Sequence, residues 1–239
     1  LGNEVKNFES AWASRCGVKY AVGVGNGMDA IEIGLRALNI GPGDEVITTP
    51  MTAFATVLAI VRAGATPVLA DIDPSTALLD PSSVERCLSP RTKAVLIVHL
   101  YGHVRNMDTW VELCKGADIH LLEDCAQSHL ASWKNKVAGS FGAWGAYSFY
   151  TTKNLGTMGD GGAIITNSEE MANNAQILRN YGQSRRYHHP ELGLNSRLDE
   201  IHAAILTIRL GWFDLFTDRR KEIAKTYFDS IKNPLVQLL

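Results

Sequence analysis

One lysine of this 239-residue chain stands where imine chemistry would need it. Lys153 follows the aromatic run Tyr147-Ser148-Phe149-Tyr150 and precedes the glycine-rich Gly159-Asp160-Gly161-Gly162, with Ala163-Ile164-Ile165-Thr166 behind it. That order predicts a tight turn held by strands on both sides. An unprotonated amine so placed attacks an aldehyde to form a Schiff base. A lysine in a turn is by default an ordinary solvated side chain, so its partners decide. Upstream, Ile119-His120-Leu121-Leu122-Glu123-Asp124 reads as a short buried strand ending in two carboxylates, which is costly unless something pairs with them. Asp124 therefore wants a cation. The competing reading is a helix N-cap ahead of Cys125-Ala126-Gln127-Ser128. A third feature is the strand-like Tyr20 to Val24, then Gly25-Asn26-Gly27, then the helical pattern Met28 to Leu38. Backbone N–H groups and the positive end of a helix dipole converge there on one spot suited to a phosphate. The spacing matches neither the P-loop nor the dinucleotide fingerprint.

A lysine for an aldehyde, an aspartate for a protonated pyridine nitrogen and a cradle for a phosphate are the three anchors of pyridoxal phosphate (PLP). The motifs Asn26-Gly27-Met28-Asp29-Ala30, Gly41-Pro42-Gly43-Asp44-Glu45-Val46-Ile47, Glu123-Asp124-Cys125-Ala126-Gln127, Ser148 to Gly156 and Gly193 to Glu200 run nearly the length of the chain. In that order they resemble the DegT/DnrJ/StrS sugar aminotransferases, PLP enzymes of the aspartate aminotransferase fold.

The resemblance implies that Lys153 holds the aldehyde and Asp124 the pyridine nitrogen, with Gln127 beside the phenolic oxygen and Phe54 stacked on the ring. It implies a phosphate held by Ser148, by the N–H groups of Gly27 and Met28, and by Asn195 of a neighbouring subunit, hence a homodimer with a shared site. Each has a plainer alternative: Phe54 as core, Gln127 as an exposed helix amide, Asn195 as a turn residue. Two positions depart from the family pattern. Met28 replaces a hydroxyl residue, and Leu130 stands where glycine is common. Because Lys153 is kept, the related dehydratases, which carry histidine there, are not favoured. The activity implied is transfer of an amino group, by family habit from L-glutamate, to a nucleotide-linked keto-deoxysugar, with a lean towards a dTDP-linked 3-keto-6-deoxyhexose. The alternatives are a cyclitol ketone as acceptor, or a non-catalytic family member.

The elements that must position these residues alternate. Strands are expected at Tyr20–Val24, Glu45–Thr48, Thr66–Ala70, Ala94–Val98, His120–Glu123, Ala146–Tyr150 and Ala163–Thr166, and helices at Phe54–Ala63, Met107–Lys115 and continuously over Asp199–Tyr227. This is an α/β chain whose mostly parallel sheet is covered by helices and binds ligands at its strand carboxyl ends. Residues 1–225 are expected to form the PLP-binding large domain, with an N-terminus that starts inside the family's, and 226–239 to begin a small C-terminal domain. At 46% hydrophobic the chain can bury a large core, and its formal charge of −2 gives no hint of nucleic-acid binding. It contains no bilayer-length apolar run and no signal peptide. The four cysteines show no metal spacing and read as reduced thiols of a cytoplasmic protein. His188-His189 reads as a polar loop rather than a metal site, and Arg185-Arg186 beside it as a solvated face or an anion clamp.

Overall fold

The computed structural model describes residues 2–236 and 238. Seven strands make one sheet: β1 (Tyr20–Val24), β2 (Glu45–Thr48), β3 (Thr66–Leu69), β4 (Thr92–Val98), β5 (His120–Asp124), β6 (Trp144–Ser148) and β7 (Gly162–Thr166). Their spatial order is β1-β7-β6-β5-β4-β2-β3. From β6 through β5, β4 and β2 to β3 every pairing is parallel, and β7 alone runs against both its neighbours, β1 and β6. Every expected strand is present, with ends that move by up to two residues. The largest shift is at β6, which stops at Ser148 and releases Phe149 and Tyr150 into the loop that carries Lys153.

Successive residues of a strand point to opposite faces, and both faces here are apolar. Val95, Ile97, Leu121, Tyr147 and Ile165 pack with helix α1 (Asn3–Cys16), and on the same side lie α4 (Pro81–Cys87), α5 (Met107–Gly116) and α7 (Glu200–Gly211). Ala94, Leu96, Leu122, Ala146 and Ile164 pack with α2 (Gly27–Ala37), α3 (Phe54–Arg62) and α6 (Glu169–Leu178). Parity thus sends Glu123 to the first face and Asp124 to the second. Ala146 is the register partner of Asp124, so Ser148, two residues on, faces the same side as Asp124. Pro67 lies in β3, an edge strand where its missing N–H costs no ladder bond.

The single helix expected over Asp199–Tyr227 is two: α7 ends at Gly211, and α8 (Phe213–Ser230) begins after Trp212, whose φ of −105° and ψ of 2° leave the helical region. Gly211 weakens the helix there, and the break lets Phe213 enter the core at 2% exposure while Trp212 stays 58% exposed. Apolar periodicity continued across the break, so the sequence pattern did not reveal it.

Candidate active site

Asp124 closes β5 and is buried, with both carboxylate oxygens engaged. Oδ1 accepts the Ala126 N–H at 3.0 Å, and Oδ2 accepts the Thr56 hydroxyl at 2.8 Å. No helix follows, so the N-cap reading of Asp124 fails; the chain makes a turn in which the carboxylate bonds the amide two residues on. Burial pushes the Asp124 carboxyl above its usual range, against the opposing pull of the Ala126 N–H, the Thr56 hydroxyl and the charges of Lys153 and His99. A buried carboxylate in this state gains from a further cation placed against it. Thr56, in the first turn of α3, carries no motif; it belongs to the site only because β5 and α3 meet.

Glu123, one residue earlier and fully buried, serves a different purpose. It accepts N–H groups from Gly139, Phe141 and Gly142 at 2.7 to 2.9 Å and the His99 Nε2–H at 2.9 Å. Two donors on each oxygen satisfy the carboxylate without any ligand. His99, Glu123 and Cys125 approach one another closely enough to suggest a metal triad, but Glu123 is already saturated by these donors.

Lys153 sits in a loop closed at its base by the Thr157 N–H to the Phe149 carbonyl at 2.8 Å, and its own N–H bonds the Tyr150 carbonyl at 2.8 Å. This is the tight turn held by β6 and β7 that the sequence predicts. Its side chain lines a cavity of about 620 Å³ together with Gln127, Tyr101, Arg220 and Lys221. The Gln127 Oε1 accepts the Tyr101 N–H at 2.8 Å, which leaves the amide NH₂ of Gln127 as a donor. Gln127 is therefore not a helix-surface amide. Tyr101 makes this bond from a left-handed backbone, φ 56°.

The β1–α2 loop meets the end of β6 directly. A Cβ on Gly27 would lie 2.7 Å from Ser148 Cβ, so only glycine permits this approach. Asn26 caps α2 by accepting the Asp29 N–H at 2.8 Å, and its carbonyl takes the Ala30 N–H. The first-turn N–H groups of Gly27 and Met28 are left without an intrahelical partner, beside Ser148. An oxyanion fits this corner: two backbone donors, a hydroxyl and a helix N-terminus converge. Ser196 holds the loop from outside, accepting the Gly25 N–H at 2.9 Å and donating to Asp29 at 2.7 Å.

Phe54 begins α3 and is 72% exposed, which removes the core alternative and leaves an aromatic face open two residues from Thr56. Asn195 is exposed, on the segment that reaches Gly25 through Ser196, and no described hydrogen bond joins it to the other candidates. Met28 is half-buried and packs against the α2 side of the core. Leu130 has φ 56°, the left-handed backbone that explains why glycine suits this position. His188 and His189 are exposed and engaged by Ser184 and the Tyr181 carbonyl, a polar loop as expected. Among the described residues no cysteine is paired.

Lysine, aspartate, donor corner and open aromatic all follow the carboxyl ends of strands of the one sheet, although the cavity that Lys153 lines includes none of Asp124, Gly27, Ser148 and Phe54, and their residue types fit a phosphorylated pyridine aldehyde. The profile of the DegT/DnrJ/EryC1/StrS aminotransferase family matches residues 1–235. The chain belongs to this family. Among the relatives of this DegT-family chain is a dTDP-3-amino-3,6-dideoxy-alpha-D-galactopyranose transaminase of Aneurinibacillus thermoaerophilus, 48% identical over 100% of the chain and 66% of the relative. Another is a pleiotropic regulatory protein of Geobacillus stearothermophilus, 46% identical over 95% of the chain and 61% of the relative. Among solved structures, S. venezuelae DesV in complex with a ketimine intermediate superposes with a TM-score of 0.95 at 45% identity, covering 98% of this chain and 63% of that one. The chain spans 61% to 66% of the length of these proteins. No described helix is long and apolar enough to cross a membrane.

Proposed function

We propose that the protein built on this chain is a PLP-dependent aminotransferase that moves an amino group from an amino acid, L-glutamate by family habit, to a nucleotide-linked keto-deoxysugar. What supports the reading is that Lys153, Asp124 and the Gly27–Ser148 corner all lie at the carboxyl ends of β1, β5 and β6. Family membership and the transaminase relatives support it. A dTDP-linked 3-keto-6-deoxyhexose is the acceptor we favour, because the A. thermoaerophilus relative is a dTDP-3-amino-sugar transaminase.

PLP, when bound, supplies an electron sink that stabilises negative charge at the carbon losing its proton. The chain does the rest. Gly27 and Met28 N–H groups and the Ser148 hydroxyl would hold the phosphate, Phe54 would cover the ring, and the Gln127 NH₂ would donate to the phenolic oxygen. Asp124 would keep the ring nitrogen protonated. Lys153 would hold the aldehyde, and its Nζ, free once the donor's amine takes its place, would be the base that takes the proton from the donor's α carbon and, in the second half-reaction, the acid that delivers one to the acceptor's carbon. Arg220 and Lys221 add positive charge to the cavity wall, where an anionic substrate is welcome.

A homodimer in which Asn195 completes the partner's phosphate site belongs to the same proposal, as does a cytoplasmic location. So does a domain reading of 1–225 as the PLP-binding large domain and 226–239 as the start of a smaller one. Helix α8 runs through that boundary and exposes Ile223, Tyr227 and Phe228 around it. Reduction with borohydride in the presence of PLP tests the core of the reading. We expect a stable pyridoxyl adduct on Lys153, seen by peptide mass, and none in Lys153→Ala. A parent chain that takes no label overturns the assignment.

A further inference from the structure

The hydrogen bonds behind Asp124 have a direction. An ionised carboxylate only accepts, so the 2.8 Å contact spends the single proton of the Thr56 hydroxyl on Asp124 Oδ2. Thr52 Oγ1 lies 2.7 Å from Thr56 Oγ1, and with the Thr56 proton committed, Thr52 must be the donor there. The order Thr52 to Thr56 to Asp124 is therefore fixed as long as Asp124 is charged, and each donor polarises the next. Thr56 is fully buried and Thr52 half-buried, so water does not readily replace the first link. The other neighbours, Lys153 in the β6–β7 loop and His99 after β4, act on the Asp124 carboxylate through space, the His99 N–H bonding only the Asp124 backbone carbonyl at 3.1 Å. Thr56 also stands in the first turn of α3, whose N-terminal dipole favours negative charge near it.

We infer that Thr56, backed by Thr52, is a positioning residue that holds Asp124 ionised and oriented, and so sets how tightly this chain retains a protonated pyridine ring. The inference rests on the PLP reading above. Thr56→Val keeps the shape and removes the donor; Thr56→Ser keeps the donor. The full chain and each variant are titrated with PLP by absorbance, and PLP labelled with ¹⁵N in its ring reports the protonation of that nitrogen. The thermal midpoint of the PLP-free protein controls for folding.

Losing a hydrogen bond to a charged group predicts PLP binding weaker by about tenfold to a hundredfold in Thr56→Val, with the ¹⁵N shift displaced towards the unprotonated value. Thr56→Ser restores both, and Thr52→Val moves both in the same direction by a smaller factor. A Thr56→Val protein that binds PLP within twofold of the parent at an unchanged ¹⁵N shift overturns the inference, as does a serine variant as impaired as the valine one. Should Thr56→Val not fold, parent-like affinity and shift in Thr52→Val overturn the relay. A parent chain that binds no PLP overturns the cofactor reading itself, and the inference with it.

Discussion

Gly27 has Ser148 where its own side chain would be, and two functions hang on that contact. It lets α2 start against the end of β6, and it brings the helix N-terminus, with its unpaired first-turn N–H groups, up to Ser148. Gly27→Ala forces a Cβ to 2.7 Å from Ser148 Cβ and 3.1 Å from its Cα, neither of which can swing away. We expect a stability loss of about 1–3 kcal/mol by denaturant titration, together with weakened retention of phosphate-bearing PLP. Unchanged values for both would mean that α2 does not meet β6 this closely. His129 offers a second residue-scale test. Its Nε2–H bonds the Ser148 carbonyl at 2.9 Å, and burial, the largest influence, pushes its pKa down to about 3 against the pull of that carbonyl, aided by the charges of Lys153 and Arg220. The unfolded chain binds this proton near pH 6.5 while the folded chain refuses it, so His129's contribution is full above 6.5 and is lost as pH falls towards 3. Between pH 6.5 and 5 the parent should lose about 2 kcal/mol more than His129→Gln, measured as the pH dependence of urea unfolding.

Two loops at the strand ends are held from inside. The Gly139–Gly142 segment hangs on Glu123, and the 125–131 segment is fixed by Asp124, by the Tyr101–Gln127 bond and by His129. Leu130 lies in that second segment with φ 56°, at a cost of about 1–2 kcal/mol for a side chain with a Cβ. Leu130→Gly removes this strain but also the packing of a half-buried side chain, whereas Leu130→Ala removes the packing and keeps the strain. The glycine variant should therefore be the more stable of the two by about 1 kcal/mol in thermal or urea unfolding. The reverse order would show that the left-handed turn is not populated.

At the scale of the molecule, α7 and α8 leave Ile201, Ile208, Trp212 and Leu215 largely exposed, each above half of its full accessibility. An apolar surface of this kind is normally covered. A dimer that shares its site is testable by mixing subunits. Lys153→Ala chains lack the lysine, and Asn195→Ala chains lack the residue proposed to serve the partner. If Asn195 crosses between subunits, each mixed dimer regains one site with both residues, and PLP retention rises above that of either variant alone. Mixtures no better than the separate variants would place Asn195 outside the partner's site.

Strand positions, the alternation of strands and helices, the Lys153 turn and the buried end of β5 were all readable along the chain, because each rests on local periodicity, on glycine, or on charge set in an apolar run. Tertiary structure alone decided three further things. Parity and register put Asp124 and Ser148 on one face while giving Glu123 to a loop of backbone donors. The meeting of α3 with β5 brought in Thr56, which no spacing marks. The break at Trp212 served a burial, that of Phe213, which helix propensity does not see. In each case the deciding energy is a contact between residues distant in sequence, and a pattern read along the chain contains no term for it.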